Sequence, residues 1–228
     1  MVVSMALGAG VLLVCFAVLA VAVRVEGHVP GLERSIDHAL LLGRGSGQFD
    51  VAHTITNTGS TTAVAALAVV VALVVWLRTR DWRCTALCVV APALAGLCES
   101  TLKPIVGRDR PPTRILTGEG GYGFPSGHTT GSTALAVAVI VVAALVVRMR
   151  PIRMLVIGGA TVYAIAIGLS RLAVGAHRAA DVLGGWLLGT AVTLAVAAAL
   201  FFPGDDARRR ERPVSDTQER PTEDRQPA

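Results

Sequence analysis

Three short polar segments in an otherwise apolar chain carry residues whose types and spacing suit chemistry on a phosphate group. The first segment, KPIVGRDRP, places Lys103, Arg108 and Arg110 within eight residues. The other two are PSGH at 125–128 and SRLAVGAHRAAD at 170–181. Each lies at the edge of a long apolar run, so a membrane protein would hold them near its surface. Taken alone, the first segment is more typical of a basic anchor at a membrane edge than of a functional site.

The third segment indicates a nucleophilic histidine. His177 and Asp181 are four residues apart, a spacing that places two side chains on one face of a helix. A carboxylate at that position can hold one ring nitrogen, fix the tautomer and leave the other nitrogen free to attack. Arg171 adds a planar donor fork that matches phosphate oxygens. A purely structural His–Asp pair is the alternative, but it does not explain the neighbouring Ser170 and Arg171.

The second segment predicts an anion site at the start of a helix. Ser126 is a good N-cap residue, and Gly127 lets a ligand approach the backbone closely. Free N–H groups and the positive end of the helix dipole favour a phosphate there, with His128 beside it. A capped helix with an interfacial histidine is the alternative that this segment leaves open.

The elements that must position these residues are membrane-spanning helices. Of the 228 residues, 53% are hydrophobic and only 16% are charged, which is too apolar for a soluble domain. The net charge of +5 does not indicate nucleic-acid binding, because the basic residues lie in short loops and in the C-terminal tail. The four cysteines lie inside apolar runs, where we expect them to pack as small hydrophobic residues rather than bind metal.

Six apolar runs are long enough to cross a bilayer. They are 5–23, 61–77, 84–102, 129–147, 152–169 and 182–202. The predicted fold is therefore an all-α integral membrane bundle of six transmembrane helices, forming one domain over residues 1–202. The first run resembles a cleaved signal peptide only weakly, since no basic segment precedes it, and a retained span is favoured. The tail, 203–228, is too polar to fold and is predicted to be disordered.

The distribution of arginine predicts the orientation. Loops 78–83 and 148–153 each contain three arginines, and the tail contains several more, so this side is expected to be cytoplasmic together with both termini. Loops 24–60, 103–128 and 170–181 then face outward with all three polar segments. Loop 24–60 is amphipathic around Ile36, Leu40 and Leu41, which predicts a short helix on the membrane surface. The expected location is the cell membrane, with the active site on its extracytoplasmic face.

Together the three segments resemble the signature of the phosphatidic acid phosphatase type 2 family, a group that also includes vanadium-dependent haloperoxidases. That signature is Lys, six residues, Arg-Pro; then PSGH; then Ser-Arg, five residues, His, three residues, Asp. All three parts occur here in order and with unchanged gaps, over roughly residues 100–202. The matching residues are Lys103, Arg110, Pro111, Pro125, Ser126, Gly127, His128, Ser170, Arg171, His177 and Asp181.

The resemblance implies a metal-independent lipid phosphate phosphatase that uses no cofactor. His177 would form a phosphohistidine, Asp181 would orient it, and His128 would act as the general acid. The implied phosphate-binding residues are Lys103, Arg110, Ser126, Gly127 and Arg171. Glu99, four residues before Lys103, is expected to pair with that lysine. The implied partners are membrane lipids and a lipid phosphate: polyprenyl diphosphate, phosphatidic acid or phosphatidylglycerophosphate.

Other functions remain as alternatives. Phosphate transfer from one lipid to another acceptor would use the same site. Haloperoxidase chemistry is disfavoured because the halide enzymes of this group are soluble. A transporter would carry ionisable residues near the middle of several spans, whereas here they crowd at span ends on one face.

Overall fold

The computed structural model describes residues 1–27, 32–113 and 120–202. Within these ranges the chain forms eight α helices and no strand. They are α1 (Val2–Glu26), α2 (Leu32–Leu40), α3 (Gly47–Asn57), α4 (Thr61–Thr79), α5 (Trp82–Val106), α6 (Gly127–Val146), α7 (Arg150–Ala173) and α8 (Ala179–Phe201). All except α2 and α3 are long and apolar enough to cross a membrane. The predicted six-span, all-helical architecture is confirmed. The disorder predicted for 203–228 lies outside the described residues.

Most spanning helices extend beyond the apolar runs that predicted them, and for α5 this changes where a functional residue lies. The prediction placed Lys103 at the start of an outward loop, but α5 continues to Val106 and ends at Gly107, whose positive φ of 70° suits a glycine. The N–H of Gly107 donates to the carbonyl of Lys103. Lys103 is therefore held in the last turn of a helix, one turn from Glu99.

Helices α6 and α8 form the centre of the bundle and are the most buried of the spans. Small residues allow the two backbones to come close. A Cβ atom on Gly189 would lie 2.5 Å from the carbonyl oxygen of Thr130, and one on Gly185 would lie 2.8 Å from Cβ of Thr129. Only glycine fits at these two contacts without a shift of the helices. The N-terminal turns of α6 and α8 are thereby brought together.

Two short helices connect α1 to α4. A short helix is present as predicted in loop 24–60 and is α2, whereas α3 was not predicted. The position of α2 on the membrane surface stays a prediction. Ser46 caps α3 by accepting the N–H of Phe49 at 3.1 Å. Phe49 and Ala52 then pack against Val174 and Ala176, which follow α7. These contacts place α3 beside the loop that precedes α8.

The three polar segments meet at one end of the bundle. They lie at the C-terminal ends of α5 and α7 and the N-terminal ends of α6 and α8. The arginine-rich connections at 78–83 and 148–153 join the opposite helix ends. The fold therefore separates the candidate site from these arginine clusters by the length of the spans.

Candidate active site

His177 and Asp181 lie together at the start of α8, but in a different way from the prediction. His177 precedes the helix, which begins at Ala179, so the two residues do not share a helical face. Instead, Asp181 turns back toward the N-terminus of α8, where its Oδ2 accepts the N–H of Arg178 at 2.9 Å. The same Oδ2 lies 3.4 Å from Nδ1 of His177. Helix capping, rather than i,i+4 stacking, brings the carboxylate to the imidazole.

The second ring nitrogen of His177 faces a guanidinium group. Nη1 of Arg110 lies 3.1 Å from Nε2 of His177, and arginine has only donors to offer. Nε2 must therefore be the acceptor, which places the ring proton on Nδ1, toward Asp181. The imidazole is thus oriented with a lone pair on Nε2, the form that a nucleophile requires.

Burial keeps this imidazole neutral. The side chain of His177 is 1% exposed. Burial lowers the pKa of His177 to about 4; Asp181 opposes this shift, while Arg171 and Arg110 add to it. At neutral pH the ring is uncharged, so Nε2 is available without loss of a proton.

Arg110 and Arg171 reach the histidine from different elements. Arg110 is buried in the connection from α5 to α6. Arg171 is 1% exposed in the last turn of α7, and its Nη1 donates to Oγ1 of Thr56 at 3.0 Å. The carbonyl of Arg171 accepts the N–H groups of Ala176 and His177 at 3.1 and 3.3 Å. Both the side chain and the backbone of Arg171 therefore contribute to the site.

Lys103 and Gly127 form a second part of the site, where α5 meets α6. Lys103 makes an ion pair with Glu99, as the sequence predicted. Gly127 is the first residue of α6, and a Cβ atom there would lie 2.7 Å from Oε1 of Glu99. The group closest to this position is thus the carboxylate that holds Lys103, and it would have to shift for any larger residue. The direct approach of a phosphate to Gly127 stays a prediction.

Ser126 occupies the N-cap position of α6, but its side chain does not cap the helix as predicted. Its Oγ instead accepts a hydrogen bond from Oγ1 of Thr129 at 3.1 Å. The backbone N–H of Ser126 donates to the carbonyl of Asp181 at 3.0 Å. This bond joins the start of α6 to the first turn of α8. His128, half-buried, lies in the first turn of α6.

The structure thus brings the predicted residues into two adjoining groups. Arg110, Arg171 and Asp181 surround His177, whereas Lys103 lies with Glu99 against the N-terminal turn of α6. The bond between Ser126 and Asp181 connects the two groups. A phosphate seated between them would meet a neutral nucleophile and three positive side chains, which suits stabilisation of a phosphoryl transition state.

Several residues around the site were not predicted from the sequence. Thr56 of α3 binds Arg171, and two carboxylates of α2, Glu33 and Asp37, accept N–H groups from the first turn of α8. The available signal was the four-residue spacing of Glu33 and Asp37 within an amphipathic segment. Nothing in that spacing indicated which helix they would contact.

Comparison with known proteins shows the family to which this chain belongs. The family model of the PAP2 superfamily matches residues 85–204. Phosphatidylglycerophosphatase B of Bacillus subtilis (strain 168) is 29% identical over 178 residues, covering 76% of this chain and 85% of that protein. The crystal structure of a transmembrane PAP2 type phosphatidylglycerolphosphate phosphatase from Bacillus subtilis matches with a TM-score of 0.70 at 27% identity, covering 82% of this chain and 93% of that one. Since the family model spans more than half of the sequence, the chain belongs to the PAP2 superfamily.

Proposed function

We propose that this membrane-bound lipid phosphatase hydrolyses the phosphate monoester of phosphatidylglycerophosphate through a phosphohistidine at His177, on the extracytoplasmic side of the membrane. The observation that carries the mechanism is the buried, neutral His177, with Nδ1 directed to Asp181 and Nε2 facing Arg110. The substrate is inferred from the matched Bacillus subtilis protein and the matched crystal structure, both named for phosphatidylglycerophosphate phosphatase activity.

In the first step Nε2 of His177 attacks phosphorus, and the bond from phosphorus to the lipid oxygen breaks. The guanidinium of Arg110 must turn from Nε2 to a phosphate oxygen, which frees the lone pair as it stabilises the developing charge. Arg171 and Lys103 stabilise the remaining equatorial oxygens. His128, in its protonated form, donates a proton to the leaving alkoxide, so the lipid departs as an alcohol.

In the second step water attacks the phosphohistidine. His128, now neutral, takes the proton from that water, and the bond between phosphorus and Nε2 breaks to release inorganic phosphate. Asp181 keeps the Nδ1 proton in place through both steps, so His177 returns to its starting tautomer. In this scheme the charge that a metal ion supplies in other phosphoryl-transfer enzymes comes from basic side chains.

The proposal is tested with the purified full-length chain in detergent, by measuring phosphate release from phosphatidylglycerophosphate, phosphatidic acid and polyprenyl diphosphate. We expect the highest kcat/KM with phosphatidylglycerophosphate, activity that persists in excess EDTA, and inhibition by vanadate, which mimics a pentacoordinate phosphorus. The His177→Ala variant, expected to be inactive, controls for contaminating phosphatases.

Each part of the proposal has its own contradicting result. Loss of activity in EDTA with rescue by magnesium or zinc would rule out the metal-independent mechanism. Faster turnover of the diphosphate would overturn the choice of substrate. Recovery of the phosphate on a second lipid, rather than in solution, would identify a phosphotransferase.

A further inference from the structure

Arg108 is a buried residue that lies outside the family signature yet contacts the catalytic dyad. It is in the connection that follows α5, and its side chain is 2% exposed. Nη1 donates to Oδ1 of Asp181 at 2.6 Å, and Nη2 lies 2.8 Å from both carboxylate oxygens of Glu33. Nε donates to the carbonyl of Gly27 at 3.3 Å. All three guanidinium nitrogens are therefore engaged by the protein.

The two carboxylate oxygens of Asp181 have different partners. Oδ1 is held by Arg108, whereas Oδ2 accepts the N–H of Arg178 and faces Nδ1 of His177. The side chain of Asp181 is completely buried, so water does not substitute for either contact. Since the carboxylate is held at both oxygens, its plane is fixed and Oδ2 points at the imidazole.

Arg108 is in turn held by helix α2. Glu33 is 5% exposed, and its Oε1 also accepts the N–H of Ala180 at 3.2 Å. One turn further along α2, Oδ1 of Asp37 accepts the N–H of Ala179 at 3.0 Å. Both carboxylates thus bind free N–H groups at the start of α8, where the helix dipole favours negative charge. Of the two, only Glu33 makes a hydrogen bond or ion pair to Arg108 in the described part of the chain.

The charges explain why the arginine is needed between these two acids. Glu33 and Asp181 are both buried, and Arg108 bridges them in one ion-pair network. Without a cation, two desolvated carboxylates would face each other, which favours protonation or displacement of one of them. Either change would alter the acceptor that Asp181 presents to His177. Arg108 thus acts on the histidine through Asp181.

We propose that Arg108 is a positioning residue of the reaction: held by Glu33 of α2, it orients Asp181 so that Oδ2 faces Nδ1 of His177. The inference rests on the proposed function, since it requires His177 to be the nucleophile. It extends the reaction machinery from the signature segments to the short helix α2, which contributes no signature residue.

The first test is a double-mutant cycle. Arg108→Lys keeps one positive charge but cannot hold both carboxylates with a planar fork. We expect its rate of phosphoenzyme formation from an aryl phosphate to fall by about 10–100-fold, as for outer partners that orient an active-site ligand, with KM changed by less than about twofold. In an Asp181→Asn background the same substitution should cost less than about twofold, because its effect requires the Asp181 carboxylate.

The second test compares two acids on α2. Glu33→Gln keeps an acceptor for the N–H of Ala180 but removes the charge that holds Arg108, so kcat should fall by about tenfold. Asp37→Asn is the matched control, because it also neutralises one carboxylate of α2 and keeps an acceptor for Ala179, but Asp37 makes no hydrogen bond or ion pair to Arg108 in the described part of the chain. The Asp37 carboxylate does repel those of Glu33 and Asp181, so this variant also measures the effect of removing a nearby negative charge. We expect its kcat to stay within about twofold of wild type. Folding of each variant is judged by size-exclusion chromatography and thermal melting. If Arg108→Lys does not fold, the comparison of Glu33→Gln with Asp37→Asn still tests whether Arg108 positions Asp181.

Three results would overturn the inference while leaving the proposed function intact. The first is that the rate losses from Arg108→Lys and Asp181→Asn multiply in the double variant. The second is a rise in KM with unchanged kcat in Arg108→Lys. The third is an equal loss of kcat in Glu33→Gln and Asp37→Asn. An equal loss of kcat in these two variants would mean that α2 supports the fold but does not position Asp181. Phosphate release by His177→Ala at the wild-type rate would instead contradict the proposed function itself.

Discussion

At the residue scale, the environment of His177 meets two requirements of the nucleophile that we propose it to be. The nucleophile must be neutral, and burial together with Arg110 and Arg171 disfavours the protonated ring. The imidazole must also carry its proton on the nitrogen that does not attack, which the contacts of Nδ1 with Asp181 and Nε2 with Arg110 provide. The basic side chains proposed to bind phosphate therefore add to the effect of burial in disfavouring the protonated form of His177.

The first residue-scale prediction is that His177 stays neutral well below the ordinary histidine pKa of 6.5. Nuclear magnetic resonance of the chain labelled at its five histidines, in detergent, should show one ring that titrates near pH 4. That signal should be absent from His177→Asn. The stability that His177 contributes is then complete above pH 6.5 and is lost as pH falls from 6.5 toward 4. A midpoint near 6.5 for this signal would show that the ring is solvated.

A second residue-scale prediction separates the roles of the two signature histidines. His177→Ala should abolish both turnover and the trapped phosphoenzyme, because no nucleophile remains. His128→Ala should lower turnover of a lipid phosphate by about 10²–10⁴-fold, the usual value of general acid catalysis. An activated aryl phosphate needs no proton on its leaving group, so His128→Ala should recover part of the first-step rate with that substrate.

Trapping of the phosphoenzyme in an alkaline denaturing quench measures this difference, because the phosphorus–nitrogen bond of phosphohistidine hydrolyses rapidly in acid. Phosphohistidine is expected to accumulate in His128→Ala with the aryl substrate, because the second step lacks its base. Asp181→Asn should fold normally and react more slowly, since the imidazole loses the charge that orients it. Loss of phosphoenzyme in His128→Ala together with its retention in His177→Ala would reverse the two assignments.

At the element scale, the site depends on how closely helix ends approach one another. Gly127 lets the first turn of α6 lie against the Glu99–Lys103 pair of α5. On the other side of α6, the glycines of α8 permit the contact that joins Ser126 to Asp181. The start of α6 is therefore held between α5 and α8, and its distance from Lys103 and Asp181 is set by these small residues.

The element-scale prediction follows from that close approach. Gly127→Ala would place a methyl group 2.7 Å from Oε1 of Glu99, so the Glu99–Lys103 pair must move. We expect phosphate release to fall by about tenfold or more, as when a positioning group is displaced by about 1 Å. Gly131→Ala is the matched control on the same helix, since its methyl would meet only Val64 at 3.7 Å. Equal activity of the two variants would show that Lys103 tolerates the shift.

At the scale of the whole molecule, the bundle holds the candidate site and two of the arginine clusters at opposite ends. The connections at 78–83 and 148–153 contain three arginines each, and the positive-inside rule assigns such loops to the cytoplasm. By that rule we expect the site to face outward, where the lipid headgroups of the outer leaflet lie. This orientation is the basis for the proposed extracytoplasmic activity.

The whole-molecule prediction tests that orientation directly. An alkaline phosphatase reporter, which is active only outside the cytoplasm, should be active when inserted after Gly120 and inactive when fused after Ala228. A fluorescent protein that matures only in the cytoplasm should give the opposite pattern at the same two positions. Inversion of both patterns would place the site on the cytoplasmic side and change the pool of lipid that it meets.

The sequence by itself determined the six spans and the three polar segments, because hydropathy and motif spacing are local properties. It also predicted the ion pair between Glu99 and Lys103, which are one turn apart on a single helix. Two local expectations were wrong. Helix α8 begins after His177, and the hydroxyl of Ser126, which was expected to cap α6, accepts a hydrogen bond from Thr129 instead.

The surroundings of the site were decided only by the tertiary structure. Arg108 meets Asp181 across 73 residues and Glu33 across 75, and Arg171 meets Thr56 across 115. No spacing rule reaches over such separations, because these contacts depend on the order in which the spans pack and on where two short helices lie against them. Hydropathy defines which segments cross the membrane, whereas shape and buried charge decide which of their ends meet.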